Sequence, residues 1–163
     1  KKSDLLEPSL LKFSSLMRYM LYEADEEKVP LEKEIEYLQS YVDLQQQRFG
    51  KNVQVMVDLQ KPNDNYEIEP MLLIPFVENA FKHGINPDGK SVIEISLDMV
   101  EDSLNLIVEN LKSTSELSSF EKSGVGIENV KKRLQLLYDQ QYELKITDMP
   151  TYYKVELSIL IIQ

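Results

Sequence analysis

Four side chains that could do chemistry lie within the segment ENAFKHG, residues 78–84. They are a carboxylate, an amide, an ammonium group and the only imidazole of the chain, belonging to Glu78, Asn79, Lys82 and His83. On a helix turning about 100° per residue, all four fall within an arc of about 140°. Amide oxygens bind Mg²⁺, cationic side chains bind phosphate oxygens, and carboxylates accept protons. The cluster therefore suits a metal–nucleotide ligand, but it is also compatible with a solvated face carrying a Glu78–Lys82 pair.

A helix over residues 71–84 must hold this cluster. Its apolar residues share the opposite side of the helix, and they are Leu73, Phe76, Val77 and Ala80. The pattern predicts an amphipathic helix with one buried stripe. Pro75 lacks a backbone N–H, so we expect the helix to begin near it or to bend there.

A second candidate is the segment SGVGIENVKKRLQLLY, residues 123–138. Gly124 and Gly126 open directly into a predicted helix, and the apolar stripe of that helix is formed by Ile127, Val130, Leu134 and Leu137. Glycines let backbone amides approach a ligand, and a helix N-terminus favours anions. By itself a glycine pair before a helix is more often a plain turn. The polar, serine-rich stretch 111–123 precedes it, and long loops of this kind often serve as lids or binding loops.

The remaining segments predict the architecture. Helical periodicity covers residues 3–25, 31–48 and 125–139, whereas alternating β-branched patterns cover 53–59, 91–99, 103–109, 142–148 and 152–162. The sequence therefore predicts an N-terminal helical hairpin followed by an α+β domain. We expect that domain to be a two-layer α/β sandwich with one mixed sheet faced by helices.

Composition excludes several classes of function. The 163 residues carry a formal net charge of −10, which disfavours a nucleic-acid partner. The absence of cysteine excludes disulfides and thiolate metal sites, and a single histidine makes a zinc site improbable. The chain also has no apolar run of the roughly 20 residues that a membrane span needs.

The two candidate segments together resemble a known family. PFVENAFKHG resembles the N box of the LytS/YehU-type sensor histidine kinases, and GVGIENVKKRLQLLY resembles their glycine box. The upstream stretch from SSLMRYMLY to DLQQQRFG is also similar to the segment that precedes the ATP-binding domain in these kinases. The resemblance covers nearly the whole chain. It implies a Bergerat-type ATP-binding fold of the GHKL group, with ATP and Mg²⁺ as cofactors.

The resemblance also implies roles for the residues of the N box. Asn79 would bind Mg²⁺, and Glu78 would assist the chemistry. Lys82 and His83 would approach the phosphates of ATP. His83 would then be a ligand-side residue rather than the histidine that becomes phosphorylated.

The glycine box and the strand before the lid carry the other implied roles. Gly124 and Gly126 would shape the phosphate end of the pocket, and Asn129 would bond a phosphate oxygen or cap its helix. The family usually has an aspartate that reads the adenine amino group, in a glycine-containing box. Here Asn110 stands at that position and those glycines are absent, while Lys122 replaces the first glycine of the glycine box. An asparagine still offers an acceptor to an amine, but without charge.

On this resemblance, residues 1–50 would be the remainder of a dimerisation and phosphotransfer region, and residues 51–163 the ATP-binding catalytic domain. The chain would transfer the γ-phosphoryl of ATP to a histidine located upstream of Lys1. Its partners would be a second copy, through the N-terminal helices, and a response regulator. The whole protein would be a bacterial inner-membrane protein, with this segment in the cytoplasm.

Two alternatives stay open at this stage. One is a GHKL ATPase of another kind. The other is a degenerate module with weak or no nucleotide binding that acts as a dimerisation or interaction scaffold, which the changes at Asn110 and Lys122 would favour. Nucleotide binding separates the scaffold from both enzymes, and histidine phosphorylation in the longer protein separates the two enzymes from each other.

Overall fold

The computed structural model describes residues 3–23, 25–87, 89–112 and 125–162. Within these ranges the chain forms four α-helices, which are α1 (Ser3–Arg18), α2 (Leu31–Phe49), α3 (Ile74–His83) and α4 (Val125–Tyr138). A π-helical turn, Tyr19–Glu23, extends α1, and a 3-10 turn, Gly50–Asn52, follows α2. Helices α1 and α2 pack on each other as the predicted hairpin.

The strands form two sheets. Strands β1 (Val29–Pro30) and β3 (Glu67–Ile68) make a short antiparallel pair. The main sheet contains β2 (Val53–Leu59), β4 (Ser91–Val100), β5 (Ser103–Leu111), β6 (Tyr142–Asp148) and β7 (Tyr152–Leu160). Its order is β2-β4-β5-β7-β6, with β2 and β4 parallel and the other neighbours antiparallel. The sheet is therefore mixed, as the sequence predicts.

One face of the main sheet supplies the core. Side chains at alternate positions are buried, because successive residues of a strand point to opposite faces. The inward residues of the three central strands are Ile93, Ile95, Leu97, Leu104, Leu106, Val108, Val155, Leu157 and Ile159. Helices α2 and α3 pack on strands of this sheet, and α4 packs on α3. The result is the expected α+β arrangement of a helical layer on a mixed sheet.

Helix α2 belongs to both the hairpin and the sandwich. It buries Leu31, Ile35, Leu38 and Val42, whose spacing of three and four residues forms a single stripe. It begins after Pro30, which has no N–H to leave unpaired, and it ends at Gly50 with a φ of 59°.

Helix α1 leaves most of its apolar side chains in solvent. Of its apolar positions and those of the following π turn, only Leu16 and Tyr19 are buried among the side chains that the structure describes. The exposed residues include Leu6, Leu10, Phe13, Met17, Met20 and Leu21, which is the stripe that the periodicity predicts. An exposed stripe of this extent marks an interaction surface.

Helix α4 departs from the predicted pattern at one position. Ile127, Val130 and Leu134 are buried as expected, but Leu137 is 45% exposed. Tyr138 occupies the core position instead, and its hydroxyl donates a hydrogen bond to the carboxylate of Glu69. The partner that the hydroxyl finds inside the protein explains why the tyrosine is buried there.

Helix α3 carries the polar cluster and ends against strand β5. Its predicted stripe is buried, namely Phe76, Val77 and Ala80 together with Leu73 just before the helix. Pro75 lies in the first turn, where its missing N–H costs nothing. The helix ends at Gly84, and a Cβ on this glycine would lie 2.5 Å from the carbonyl oxygen of Ala80 and 2.8 Å from the Cβ of Asn110.

We therefore predict that Gly84→Ala destabilises the fold. The added methyl group would overlap backbone and side-chain atoms that cannot move freely, and overpacking of this kind costs about 1–3 kcal/mol. Chemical denaturation measures the change in free energy of unfolding. Gly126→Ala is the matched control, because its Cβ would meet open space within α4 and alanine favours a helix by about 1 kcal/mol. Equal effects of the two substitutions would contradict the close packing at Gly84.

Candidate active site

The polar face of α3 is divided between two surroundings. Glu78 and Lys82 line a cleft of about 440 Å³ between α2 and α3. The rest of its lining comes from α2 and from the end of α3, and consists of Tyr41, Gln45, Arg48, Phe49, Phe81 and Ile85. The Tyr41 and Phe81 rings, one from each helix, meet edge to face with centroids 5.9 Å apart.

The cleft changes the electrostatics of Glu78. Partial burial raises the pKa of the Glu78 carboxyl, because a charged group loses solvation beside apolar neighbours. Across the cleft, burial and then the nearby Glu78 charge raise the pKa of Tyr41 to about 12. Within the described part of the chain, Glu78 makes no ion pair with Lys82. A carboxylate that is partly desolvated and has no cation bound to it is suited to accept a proton.

Asn79 and His83 lie further round the helix than Glu78 and are both half-buried. Helix α3 as a whole packs on strands β4 and β5 and on α4. The cluster predicted from the sequence is thus present on one helix, but only Glu78 and Lys82 of its four members line the cleft.

Asn110 on β5 adjoins the end of α3. Its side chain is only 1% exposed and packs against Gly84. Its Nδ2 donates to the carbonyl oxygen of Leu111 at 3.2 Å, whereas its Oδ1 is buried with no hydrogen-bond partner among the described residues. A buried acceptor without a donor costs free energy, so a ligand donor at this position would be stabilised.

The glycine-box candidates lie at the start of α4, which packs on α3. Gly126 is exposed with open space around its Cα, and Asn129 is also exposed on the first turns of the helix. The structure describes only residues 111 and 112 of the predicted lid. The rest of the lid, including Lys122, lies outside the described residues, as does Gly124. Gly126 and Asn129 are therefore exposed on the first turns of a helix that packs on the N-box helix.

Sequence reasoning missed the residues that α2 contributes. Tyr41, Gln45 and Arg48 follow one another at four and three residues, so they form a second, half-polar stripe beside the buried one. That spacing was the available signal. The spacing does not indicate which element this stripe of α2 faces. The cleft exists because the stripe faces α3, so the cleft could not be predicted from the spacing.

The donor set fits a magnesium–nucleotide better than a protein-held metal ion. Among the described residues, no group of three histidine, aspartate or glutamate side chains is placed to bind a metal. Mg²⁺ in nucleotide sites commonly takes one or two protein ligands and completes its shell with phosphates and water. The amide of Asn79 meets that requirement, and the unpaired Oδ1 of Asn110 fits the amine of an adenine.

Comparisons with known proteins point to histidine kinases. The family model described as histidine kinase matches residues 1–53. The sensor histidine kinase YpdA of Escherichia coli is 28% identical over 151 residues, covering 87% of this chain and 26% of that protein. The sensor protein LytS of Oceanobacillus iheyensis is 27% identical, covering 84% of this chain and again 26% of that protein. The chain thus spans about a quarter of the length of these relatives.

Solved structures show the same fold. The histidine kinase domain of the blue-light activated kinase from Erythrobacter litoralis has a TM-score of 0.60 at 17% identity, covering 96% of this chain and 74% of that one. The catalytic domain of histidine kinase ThkA has a TM-score of 0.56 at 12% identity, covering 82% of this chain and 93% of that one.

The predicted boxes, the mixed sheet with its helical layer and the named relatives agree with one another. None of the described helices has the length and apolar character of a membrane span. In sequence the chain is similar to LytS-type sensor histidine kinases, and residues 1–53 match the histidine kinase family model.

Proposed function

We propose that this chain binds Mg-ATP beside α3 and catalyses transfer of the γ-phosphoryl group to a histidine elsewhere in the longer kinase. The observation that carries the proposal is Asn110, which holds a buried and unpaired acceptor against the end of the N-box helix. An exocyclic amine of adenine would supply the missing donor. The neighbouring Asn79, Lys82 and His83 would then lie on the helix that runs along the nucleotide.

We infer that the polar residues of α3 have different roles, according to the surroundings of each. Asn79 would provide an oxygen to Mg²⁺, while Lys82 and His83 would contact phosphate oxygens. Gly126 and Gly124 would let the backbone at the start of α4 approach the phosphates, with Asn129 as a further hydrogen-bond donor. Glu78, which faces the α2 cleft, would be on the side of the incoming histidine.

Bound Mg-ATP would supply the phosphoryl group. A group of the protein must then accept the proton that the attacking imidazole loses. The attacking imidazole nitrogen forms a bond to the γ-phosphorus while the bond from that phosphorus to the oxygen of the leaving ADP breaks. Glu78 accepts the proton that the imidazole loses, because its carboxylate is partly desolvated and has a raised pKa. Lys82, at the same cleft, is placed to offset the negative charge of the phosphoryl oxygens.

For the whole protein we propose the organisation that its relatives suggest. Residues 1–50 would belong to the dimerisation and phosphotransfer region and residues 51–163 to the catalytic domain, with α2 contacting both. The exposed apolar stripe of α1 would pack against a second copy, giving a homodimer. A response regulator would receive the phosphoryl group, and this segment would lie on the cytoplasmic side of a bacterial inner-membrane protein.

Asn79→Ala tests the metal role. Calorimetric titration with a non-hydrolysable ATP analogue should show Mg²⁺-dependent binding to the unmodified chain. Loss of a metal ligand should weaken that binding by at least about tenfold in Mg²⁺ and leave binding in EDTA unchanged. Asn52→Ala, at the exposed turn after α2, is the matched control. Equal Mg²⁺ dependence in Asn79→Ala would refute the metal role.

Asn110→Ala tests the adenine contact. ATP has an exocyclic amine where inosine triphosphate has a carbonyl oxygen, so the unmodified chain should prefer ATP. The variant should lose most of that preference, about tenfold in the ratio of the two dissociation constants, because one hydrogen bond to the amine is removed. The ratio is independent of any general loss of stability. A preference for ATP that survives the substitution would show that another group reads the base.

Glu78→Gln tests the proton acceptor in the full-length kinase. Autophosphorylation should slow by about 100-fold, because glutamine cannot take a proton, while the dissociation constant for Mg-ATP should change little. Burial raises the pKa of Glu78, so the unmodified kinase should lose activity as the pH falls through a value above that of a free glutamate. The variant should lack this acidic limb.

Glu94→Gln is the matched control for this series, since Glu94 lies exposed on the open face of the sheet. It should retain both the rate and the pH profile of the unmodified kinase. An acidic limb that persists in Glu78→Gln would assign the proton to another group.

A further inference from the structure

The turn that leads into the N-box helix is held by side chains from two different helices. Residues Glu69, Pro70 and Met71 lie between β3 and α3, and Glu69 and Pro70 are buried. Only Leu72 and Leu73 separate this turn from the first residue of α3, and both are fully buried. The position of α3 therefore follows the position of the turn.

Helix α2 holds the turn from one side through Glu34. The Glu34 side chain has no exposed surface, and its Oε1 accepts a hydrogen bond from the backbone N–H of Met71 at 2.7 Å. The same oxygen accepts a hydrogen bond from the hydroxyl of Tyr19 in the π turn that extends α1. One buried carboxylate thus connects α1, α2 and the turn.

Helix α4 holds the turn from the other side. The guanidinium of Arg133 donates to the carbonyl oxygens of Met71 and Pro70, at 3.2 and 3.1 Å. Tyr138, also on α4, donates its hydroxyl to the carboxylate of Glu69. A guanidinium is planar and rigid, so its two bonds to consecutive carbonyls fix orientation as well as distance.

The backbone of the turn needs this support. Met71 has a φ of 62°, in the left-handed region that disfavours residues with a Cβ. Such a conformation persists only where its surroundings impose it, and these conformations cluster at functional sites. Both backbone polar groups of Met71 are bonded, its N–H to α2 and its carbonyl to α4.

We propose that Glu34 and Arg133 are positioning residues of the nucleotide site. By holding Met71 from opposite sides they set the N-box helix α3 against the glycine-box helix α4, and Tyr19 transmits displacements of α1 to the same carboxylate. The inference rests on the proposed Mg-ATP site, since it concerns how α3 and α4 are held in a fixed position relative to each other at that site. Neither residue contacts the nucleotide in this arrangement.

Hydrogen exchange in the nucleotide-free chain tests directly whether Glu34 holds the backbone N–H of Met71. Glu34→Met removes the acceptor for Met71 while keeping a side chain of similar length, so the Met71 amide should exchange at least about tenfold faster. Glu34→Gln keeps an amide oxygen as acceptor and should restore slow exchange. Glu36→Gln, an exposed position on the same helix, is the control.

The consequence for the site is tested by binding of Mg-ATP analogue at a temperature where each variant is folded. Arg133→Met and Glu34→Met should each raise the dissociation constant by about fivefold or more. Arg133→Lys should rescue only partly, because an ammonium group cannot make the paired bonds. Arg18→Lys, exposed on α1, should bind like the unmodified chain. Should Glu34→Met fail to fold, the half-buried Arg133 variants carry the same prediction.

The outcomes separate the two proposals. Binding by the unmodified chain with unchanged dissociation constants in folded Arg133→Met and Glu34→Met would overturn the positioning role and leave the proposed function standing. An unmodified chain that binds no Mg-ATP would overturn the proposed function, and the positioning role with it. A lower melting temperature with unchanged binding would assign the two residues to stability alone.

Discussion

A buried carboxylate organises the helical layer of this protein. Burying a charge is expensive unless hydrogen bonds compensate it. Glu34 Oε1 accepts such bonds from a backbone amide and a tyrosine hydroxyl of two other segments, whereas its Oε2 is buried with no hydrogen-bond partner among the described residues. Burial raises the pKa of its carboxyl, with the two hydrogen bonds acting in the opposite direction. The Glu34 side chain thus fixes how α1, α2 and the turn before α3 lie relative to one another. Apolar packing alone would not specify that arrangement.

The same layer gives α3 a different neighbour on each side. On the side of α2, Glu78 and Lys82 line a cleft. At its C-terminal end, α3 is followed by Gly84, which packs tightly against Asn110 of β5. A helix with two functional sides can bring two reactants together without a separate domain for each. Under the proposed function, the nucleotide and the accepting histidine would approach α3 from these two sides, since they must meet at one phosphorus atom.

Local patterns predicted most of the fold. The stripe in α2 and the alternation in β4 and β5 report burial directly, so element types and most boundaries followed from spacing. Strands β4 and β5, whose alternation the sequence shows, are joined by a tight turn at Glu101 and Asp102, with a φ of 54° at Glu101. The N box and glycine box were recognisable because their residues are close together in sequence.

Features that depend on contacts between distant segments could not be predicted in this way. Glu34 lies in the segment LEKEIEY, which resembles any charged helix surface, and only the packing of Tyr19 and Met71 around it reveals its burial. The short strands β1 and β3 pair although residues 31–66, which contain α2 and β2, separate them in sequence. Likewise, the divided surroundings of α3 follow from how α2 crosses it, which no single segment encodes.

The parallel pairing of β2 with β4 has a consequence for how the protein folds. Parallel neighbours cannot be joined by a tight turn, so the chain leaves β2, builds β3 and α3, and only then returns as β4. The N-box helix is itself part of that crossover. Non-local pairing of this kind forms slowly, and α3 lies in the segment that must be ordered when it forms. Formation of α3 and pairing of β2 with β4 are therefore coupled by the topology, so a substitution that slows the ordering of α3 should also slow formation of the sheet.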